Sequence, residues 1–299
     1  MAEISTIAVI GAGIMGRGIA HVAALGGYRT ILEDILPTSL RRAESEIRSN
    51  LDRAVELGKV SKEVAEGALS RLEYATSLDE AARQADMVIE AVPEEFDSKE
   101  EIFRLLDRIC RPNTILASNT SSLSITDIAA VTERPEKVVG MHFFNPVHKM
   151  KLIEIIRAEK TDDVAVAAAV EVGNRMCKET VVINEAPGFI TSRINAMIGN
   201  EAFYMLEAGI ASAEDIDRAL KLGLNHPMGP FEMVDLVGLD TRLNILRYLH
   251  QTLGEKFRPA PLLEKYVAEG RLGRKTGRGV FEYPDKKAVA KTKAGGESK

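Results

Sequence analysis

The chain has no tryptophan, and aromatic residues make up only 5% of its 299 positions. Aromatic stacking platforms for single-stranded nucleic acid are therefore not expected. Basic residues are also fewer than acidic ones, 39 against 44, which gives a net charge of -5. A non-specific nucleic-acid binder of this size would carry the opposite sign. The composition therefore predicts no nucleic-acid partner.

Cysteine is scarce, with only Cys110 and Cys177 in the chain. Two cysteines are too few for a disulfide framework or a cysteine-based zinc site, and no metal site is predicted. Apolar runs never approach the roughly 20 residues that span a bilayer, and the beginning lacks the charge and apolar order of a signal peptide. These absences predict a cytoplasmic protein that does not associate with a membrane.

The length is about twice that of a typical domain, and the pattern changes along the chain. In the first 185 residues, short apolar runs alternate with segments of helix length, which predicts a Rossmann-type doubly wound α/β sheet. From Phe189 onward the pattern is helical. We therefore predict an NAD-binding domain over 1–186, an all-helical substrate and dimerisation domain over 187–285, and a flexible tail over 286–299. Seven runs have strand length: Ile4–Ile10, Tyr28–Leu32, Met87–Val92, Thr114–Ala117, Val138–Phe144, Leu152–Ile156 and Thr180–Ile183.

A G-x-G-x-x-G loop directly follows the first run and precedes a helical segment. Gly11 permits the tight turn, Gly13 lets a pyrophosphate approach the backbone, and Gly16 lets the helix pack on the strand. Asp34 follows the second run, where an acid receives the ribose hydroxyls of NAD. A glycine-rich turn in an unrelated α/β protein is the alternative, but strand, helix and acid are all in register here. The loop is completed by Ala12, Ile14 and Met15.

The acid also bears on the choice between the two dinucleotides. Asp34 repels a 2′-phosphate by its charge, so NAD is predicted and NADP is less favoured. Three arginines close in sequence weaken that preference: Arg29, Arg41 and Arg42.

Two polar residues interrupt apolar runs where a buried charge would be costly. His142 lies inside Val138–Phe144, and Glu154 lies inside Leu152–Ile156. If the two strands are neighbours, the carboxylate can hold the imidazole tautomer and stabilise the imidazolium, as in a catalytic dyad. A structural ion pair or a turn-facing glutamate remains an alternative at this point. His21, on the first helix, is interpreted as a packing or surface residue.

The segment Ala117–Ser122 follows another strand and is rich in small hydroxyl and amide groups. A loop at the carboxyl end of a strand faces the ligand crevice of an open sheet. The same residues could also cap the helical segment Ile125–Ala130, and the two interpretations are compatible. Asn145 ends the strand of His142 and can offer an amide to the same crevice.

Seven short motifs, in this order and spacing, resemble the 3-hydroxyacyl-CoA dehydrogenase family, and most closely its bacterial 3-hydroxybutyryl-CoA dehydrogenases. The resemblance extends over about residues 5–283. It implies reversible NAD-linked oxidation of a short (S)-3-hydroxyacyl-CoA to the 3-ketoacyl-CoA, and a homodimer. The motifs are Val9–Gly16, Val88–Glu94, Ala117–Leu123, Gly140–Pro146, Glu185–Phe189, Asn225–Pro230 and Gly273–Gly279.

The resemblance also implies a role for individual residues. His142 would be the general base, oriented by Glu154, while Ser121 and Asn145 would position the reacting carbon of the acyl-CoA. NAD contacts are implied for the glycine loop and for Asp34, Glu94, Lys99, Ser121, Asn145 and Lys275. Coenzyme A contacts are implied for Ser121, Asn50, Arg53 and Lys59.

One position departs from the family pattern. Several members carry an asparagine five residues after the proline of Pro187–Phe189, where it completes a catalytic tetrad, and this chain has Ser192. A hydroxyl is shorter than an amide, so the fourth catalytic role is in question.

Two other functions fit the same motifs less well. A dehydrogenase of a free hydroxy acid would need a cationic clamp for a carboxylate instead of a basic surface for coenzyme A. A non-catalytic dinucleotide-binding protein would not need His142 and Glu154.

Overall fold

The structure, a computed structural model, describes residues 4–283 of the chain. The predicted tail over 286–299 therefore lies outside the described residues. The described residues divide into two compact units, and the division lies between Ala186 and Pro187.

The first unit is built on an eight-stranded sheet whose strand order is β3-β2-β1-β4-β5-β6-β7-β8. All neighbouring strands run parallel except β6 and β7, which are antiparallel. The order reverses direction between β1 and β4, and ligands of open α/β sheets bind at such a switch point. The strands are β1 (Thr6–Ile10), β2 (Arg29–Glu33), β3 (Leu72–Ala75), β4 (Met87–Glu90), β5 (Ile115–Ser118), β6 (Val138–Phe143), β7 (Leu152–Arg157) and β8 (Glu179–Asn184).

Helices pack on this sheet because its central strands are mainly apolar and are buried on both faces. Every residue of β1, β4 and β5 is buried, as expected for parallel strands covered on both faces. One core contains Val9 and Ile89 of the sheet, and the helices contribute Ile19 and Val172 to it. The helices of this unit are α1 (Ile14–Leu25), α2 (Pro37–Glu56), α3 (Lys62–Ser70), α4 (Leu78–Ala82), α5 (Phe96–Ile109), α6 (Ile125–Ala130) and α7 (Asp163–Arg175).

The second unit contains α8 (Thr191–Glu207), α9 (Ala213–Gly223), α10 (Pro230–Val237), α11 (Leu239–Leu253) and α12 (Pro261–Ala268). Its core packs the rings of Phe203 and Phe231 edge to face, with centroids 5.1 Å apart. The side chain of Ser212 accepts a hydrogen bond from the Asp215 N–H at the start of α9. The predicted fold class, a Rossmann-type sheet followed by a helical domain, is confirmed.

The sequence prediction missed three short elements of the first unit, β3, α3 and α4. β3 is only four residues long and half exposed at the edge of the sheet, so its apolar pattern is weak. Along residues 4–283, no helix is both long enough and apolar enough to cross a bilayer.

Candidate active site

The glycine loop joins β1 to α1, and two of its glycines have no space for a side chain. A Cβ on Gly16 would lie 1.7 Å from the Gly11 carbonyl oxygen. Gly11 has a φ of +96°, and a Cβ there would lie 2.8 Å from the Ala91 carbonyl oxygen. Both positions therefore require glycine for the close packing of the turn.

Gly13 differs from Gly11 and Gly16, because a Cβ built on it would meet no heavy atom within 4 Å. It is the N-cap residue of α1, and no side chain caps this helix end. The first N–H groups of α1 therefore have no capping side chain, and they carry the positive end of the helix dipole. This arrangement fits a dinucleotide phosphate.

Asp34, directly after β2, lies next to the loop. Its carboxylate accepts hydrogen bonds from the Ala12 N–H and the Leu36 N–H, each at 2.9 Å. The preceding residue, Glu33, is buried. Burial and the charge of Asp34 raise the pKa of Glu33 to about 7. Of these two consecutive acids, Asp34 is the one that contacts the glycine loop.

His142 and Glu154 face each other across the antiparallel pair β6 and β7. The distance from His142 Nδ1 to Glu154 Oε2 is 2.7 Å. Their side chains are only 6% and 1% exposed, so the contact is shielded from solvent. The predicted pairing of the two residues is confirmed.

The loop after β5 carries Ser121, and several of its groups donate to one carboxylate oxygen. Glu94 Oε1 accepts hydrogen bonds from the Thr120 hydroxyl at 2.6 Å and from the N–H of Ser121 at 2.8 Å. It also accepts the Ser122 N–H at 3.2 Å. Glu94 therefore helps to fix the backbone around Ser121, and Ser121 itself is exposed.

Asn119 links this loop to the strand of the imidazole. Its side-chain oxygen accepts a hydrogen bond from the Phe143 N–H at 3.0 Å. Its backbone N–H donates a hydrogen bond to the Glu90 carbonyl oxygen at 2.9 Å. The backbone next to His142 is thus tied to the serine loop.

Sequence reasoning missed Glu90, a buried acid at the end of β4. Glu90 lies in β4 and is fully buried. Its carboxylate accepts hydrogen bonds from Lys99 Nζ and from the Ser118 hydroxyl, each at 2.6 Å. Burial raises the pKa of Glu90, and the charge of Lys99 opposes that shift. The signal was present, since Glu90 interrupts an apolar run just as His142 and Glu154 do.

Lys99, for which the resemblance implied an NAD contact, is buried to 1% exposure. Besides Glu90, its Nζ lies 3.4 Å from Glu94 Oε2. Lys99 therefore joins a buried acid to the acid that holds the serine loop.

The remaining predicted residues of the first unit lie on its surface. Asn145 follows β6, and Asn50 lies on α2; both line a cavity of about 210 Å³. Arg53, also on α2, pairs with Glu56 at 2.8 Å. Lys59 is exposed in the turn between α2 and α3.

Two predicted residues belong to the second unit. Lys275 Nζ lies 2.6 and 2.7 Å from the two carboxylate oxygens of Asp240. Ser192 is the second residue of α8 and is partly buried. Within residues 4–283, no group of three or more potential ligands is arranged to hold a metal ion.

Comparison with known proteins identifies the family of the chain. Residues 6–186 match the model described as 3-hydroxyacyl-CoA dehydrogenase, NAD binding domain, and residues 188–283 match that of the C-terminal domain. The chain belongs to the 3-hydroxyacyl-CoA dehydrogenase family. The predicted resemblance is confirmed, and with it an oxidoreductase that uses NAD.

Relatives and solved structures of this family match nearly the whole chain. A probable 3-hydroxybutyryl-CoA dehydrogenase of Bacillus subtilis is 46% identical over 285 residues, 95% of this chain and 99% of the relative. The human mitochondrial hydroxyacyl-coenzyme A dehydrogenase is 41% identical, covering 93% of this chain and 90% of its own. The crystal structure of (S)-3-hydroxybutyryl-CoA dehydrogenase from Ralstonia eutropha has a TM-score of 0.92 at 42% identity, over 95% of this chain and 100% of that one.

Gly13 and Gly16 of the glycine loop should respond differently to substitution by alanine. Gly13→Ala should leave the thermal midpoint close to that of the unchanged protein, because its Cβ enters open space, but should weaken NADH binding about tenfold or more by occupying the phosphate position. Gly16→Ala should lower the midpoint, because its Cβ overlaps the Gly11 carbonyl. Thermal unfolding and fluorescence titration with NADH measure the two effects. Unchanged NADH affinity in Gly13→Ala would contradict the phosphate assignment.

Proposed function

We propose that the chain catalyses the reversible NAD-dependent oxidation of a short (S)-3-hydroxyacyl-CoA, with 3-hydroxybutyryl-CoA favoured, to the 3-ketoacyl-CoA. The observation that carries this proposal is the buried 2.7 Å contact between His142 and Glu154, in a sheet whose glycine loop fits a dinucleotide. The names of the relatives support the substrate class.

His142 is the general base in this proposal. When Nδ1–H donates to Glu154, the neutral ring carries its lone pair on Nε2, which can accept the proton of the 3-hydroxyl group. The carboxylate then stabilises the imidazolium that forms, without itself taking the proton. In the reverse direction, the imidazolium returns the proton to the 3-keto oxygen.

When bound, NAD would supply the acceptor for the hydride that leaves C3 of the substrate. The N–H groups at the start of α1 would hold its phosphates, and Asp34 would accept a hydrogen bond from a ribose hydroxyl. We assign to Lys99 a positioning role, since its Nζ is buried against Glu90 and Glu94. Glu94, Asn145 and Lys275 remain proposed NAD contacts.

Ser121 is proposed to hold the oxygen on C3 through its hydroxyl, because Glu94 fixes the backbone of its loop. Asn145 is proposed to position the reacting carbon. For coenzyme A we propose Asn50, Arg53 and Lys59. Ser192 is proposed as a hydroxyl replacement for the asparagine of other family members.

His142→Gln should lower kcat about 10²- to 10⁴-fold, because glutamine cannot take up the hydroxyl proton. NADH affinity should stay unchanged, since the glycine loop and Asp34 remain. Steady-state kinetics and NADH titration measure both quantities, and His250→Gln is a matched control on the surface of α11. Turnover by His142→Gln close to that of the control would rule out the general-base role.

The substrate class is tested by following NADH consumption with acetoacetyl-CoA, longer 3-ketoacyl-CoAs and free acetoacetate. We expect the highest kcat/KM for acetoacetyl-CoA, and a loss of at least about tenfold when NADPH replaces NADH, because Asp34 repels the 2′-phosphate. Faster reduction of the free acid would favour a hydroxy-acid dehydrogenase. Absence of turnover with every substrate would favour a non-catalytic dinucleotide-binding protein.

We also propose that the second unit forms a homodimer. Two apolar residues about one turn apart on α8, Ile194 and Met197, are 53% and 38% exposed. Ile194→Asp should shift the molecular mass measured by light scattering from dimer to monomer, since a charge in an apolar interface is desolvated. Leu105→Asp, at an exposed apolar position on α5, is the control. A monomeric mass for the unchanged protein would refute the dimer.

A further inference from the structure

The cavity of about 210 Å³ in the first unit contains two histidines that the proposed reaction does not use. His21 of α1 and His148, which follows β6, stack with ring centroids 5.7 Å apart and planes at 17°. A Cβ on Gly18 would lie 2.8 Å from Val147 Cβ, so this glycine permits the approach of the segment after β6 to α1. The stacked pair therefore depends on contact between two distant parts of the chain.

The surroundings of the two rings disfavour their protonation. Burial, together with the charges of His148 and Lys178, lowers the pKa of His21 to about 4. Burial also lowers the pKa of His148, with additional repulsion from Lys149, Lys178 and Lys59. Both rings are therefore held toward the neutral form near cationic side chains.

The remaining charges around the cavity do not balance these cations. Glu46 of α2 also lines the cavity, but its carboxylate lies 2.6 Å from Arg17 and 2.9 Å from Arg42. Lys178 Nζ donates to the carbonyl oxygens of Val147 at 2.5 Å and Met150 at 2.7 Å. These partners are uncharged, and burial lowers the pKa of Lys178, so an anion bound nearby would stabilise its charged form.

A cavity that is lined by two neutral imidazoles and has lysines close to them is chemically suited to an anion. An anion would offset the repulsion and would gain two further N–H donors if the rings took up protons. Asn145, which follows the strand of His142, lines the same cavity, so a molecule bound at the proposed reaction site lies near it. The phosphates of the dinucleotide already have a place at the start of α1.

We propose that this cavity binds a phosphate group of coenzyme A and that His21 and His148 take up protons when it does. The inference rests on the proposed function, because it takes the substrate to be an acyl-CoA. The shared chemistry is that of a phosphate anion, which the 3′-phosphate or the diphosphate of coenzyme A can supply. Positioning this group would make the cavity a determinant of specificity for coenzyme A over smaller thiols.

The coupling between phosphate binding and protonation of the two histidines has a definite sign. The bound anion raises the pKa of the histidines above the values in the free protein, so their contribution to binding is present at low pH and is lost as pH rises through the raised pKa. A phosphate monoester itself gains a proton near pH 6, which weakens its binding at low pH. Tighter binding toward pH 6 must therefore come from the protein.

The test is isothermal titration with coenzyme A, which cannot be turned over, at pH 6 and pH 8 in two buffers of different ionisation enthalpy. We expect proton uptake and about 5- to 10-fold tighter binding at pH 6. His148→Gln and His21→Gln should abolish both, while His250→Gln should retain them. Because His21 is buried, His148→Gln, at an exposed position, serves if His21→Gln fails to fold.

Three comparisons make the result decisive. Repeating the titration with 3′-dephospho-CoA and with pantetheine tells which phosphate is bound. Loss of proton uptake with 3′-dephospho-CoA identifies the 3′-phosphate. Loss of proton uptake only with pantetheine identifies the diphosphate. Proton uptake retained with pantetheine, or coenzyme A binding that is equally pH-dependent in both glutamine variants, overturns the proposal. Weaker NADH binding with unchanged coenzyme A binding in these variants assigns the phosphate to the dinucleotide and also overturns it.

The outcome can be separated from that of the proposed function. If acetoacetyl-CoA is not reduced but coenzyme A binding shows the histidine-dependent proton uptake, the reaction fails and this site stands. If acetoacetyl-CoA is reduced normally and no histidine-dependent uptake occurs, the reaction stands and this site fails.

Discussion

The antiparallel register between β6 and β7 is the constraint on which the proposed chemistry depends. It places His142 directly opposite Glu154, so that an imidazole and a carboxylate share a site that is almost fully buried. A slip of one residue would move one partner to the other face of the sheet and leave a buried charge without its pair. The hydrogen bond from the Phe143 N–H to Asn119 secures the same strand from its other side.

A second set of buried charges organises the loops at the carboxyl ends of β4 and β5. Glu90 binds Lys99 and Ser118 in the interior, and Lys99 lies between Glu90 and Glu94. Burying a carboxylate is costly by itself, and the lysine and the hydroxyl compensate for that cost. Glu94 in turn accepts a hydrogen bond from the Ser121 N–H, so this network of buried charges helps to position a residue for which we propose a substrate contact.

Much of this could be predicted from local patterns. The glycine loop, Asp34 and the interruptions of apolar runs by His142 and Glu154 each follow from a few consecutive residues. β3 could not be found in this way, because its four half-exposed residues form a strand only through pairing with β2. Glu90 carried the same signal as Glu154, but its partner Lys99 lies on a helix, and the sequence pattern does not tell which way that side chain points.

The sequence by itself determined the two-part α/β and helical organisation, the dinucleotide loop and the family, because these follow from local patterns and from the order of short motifs along the chain. It indicated His142 and Glu154 as candidates, and the register of β6 and β7 decided that they pair. Only the tertiary structure decided that Lys99 is buried in an acidic network and that His21 stacks on His148. The physical reason is that burial and charge environment depend on which distant segments pack together. A histidine on a helix has the same local pattern whether it faces solvent or a cationic cavity.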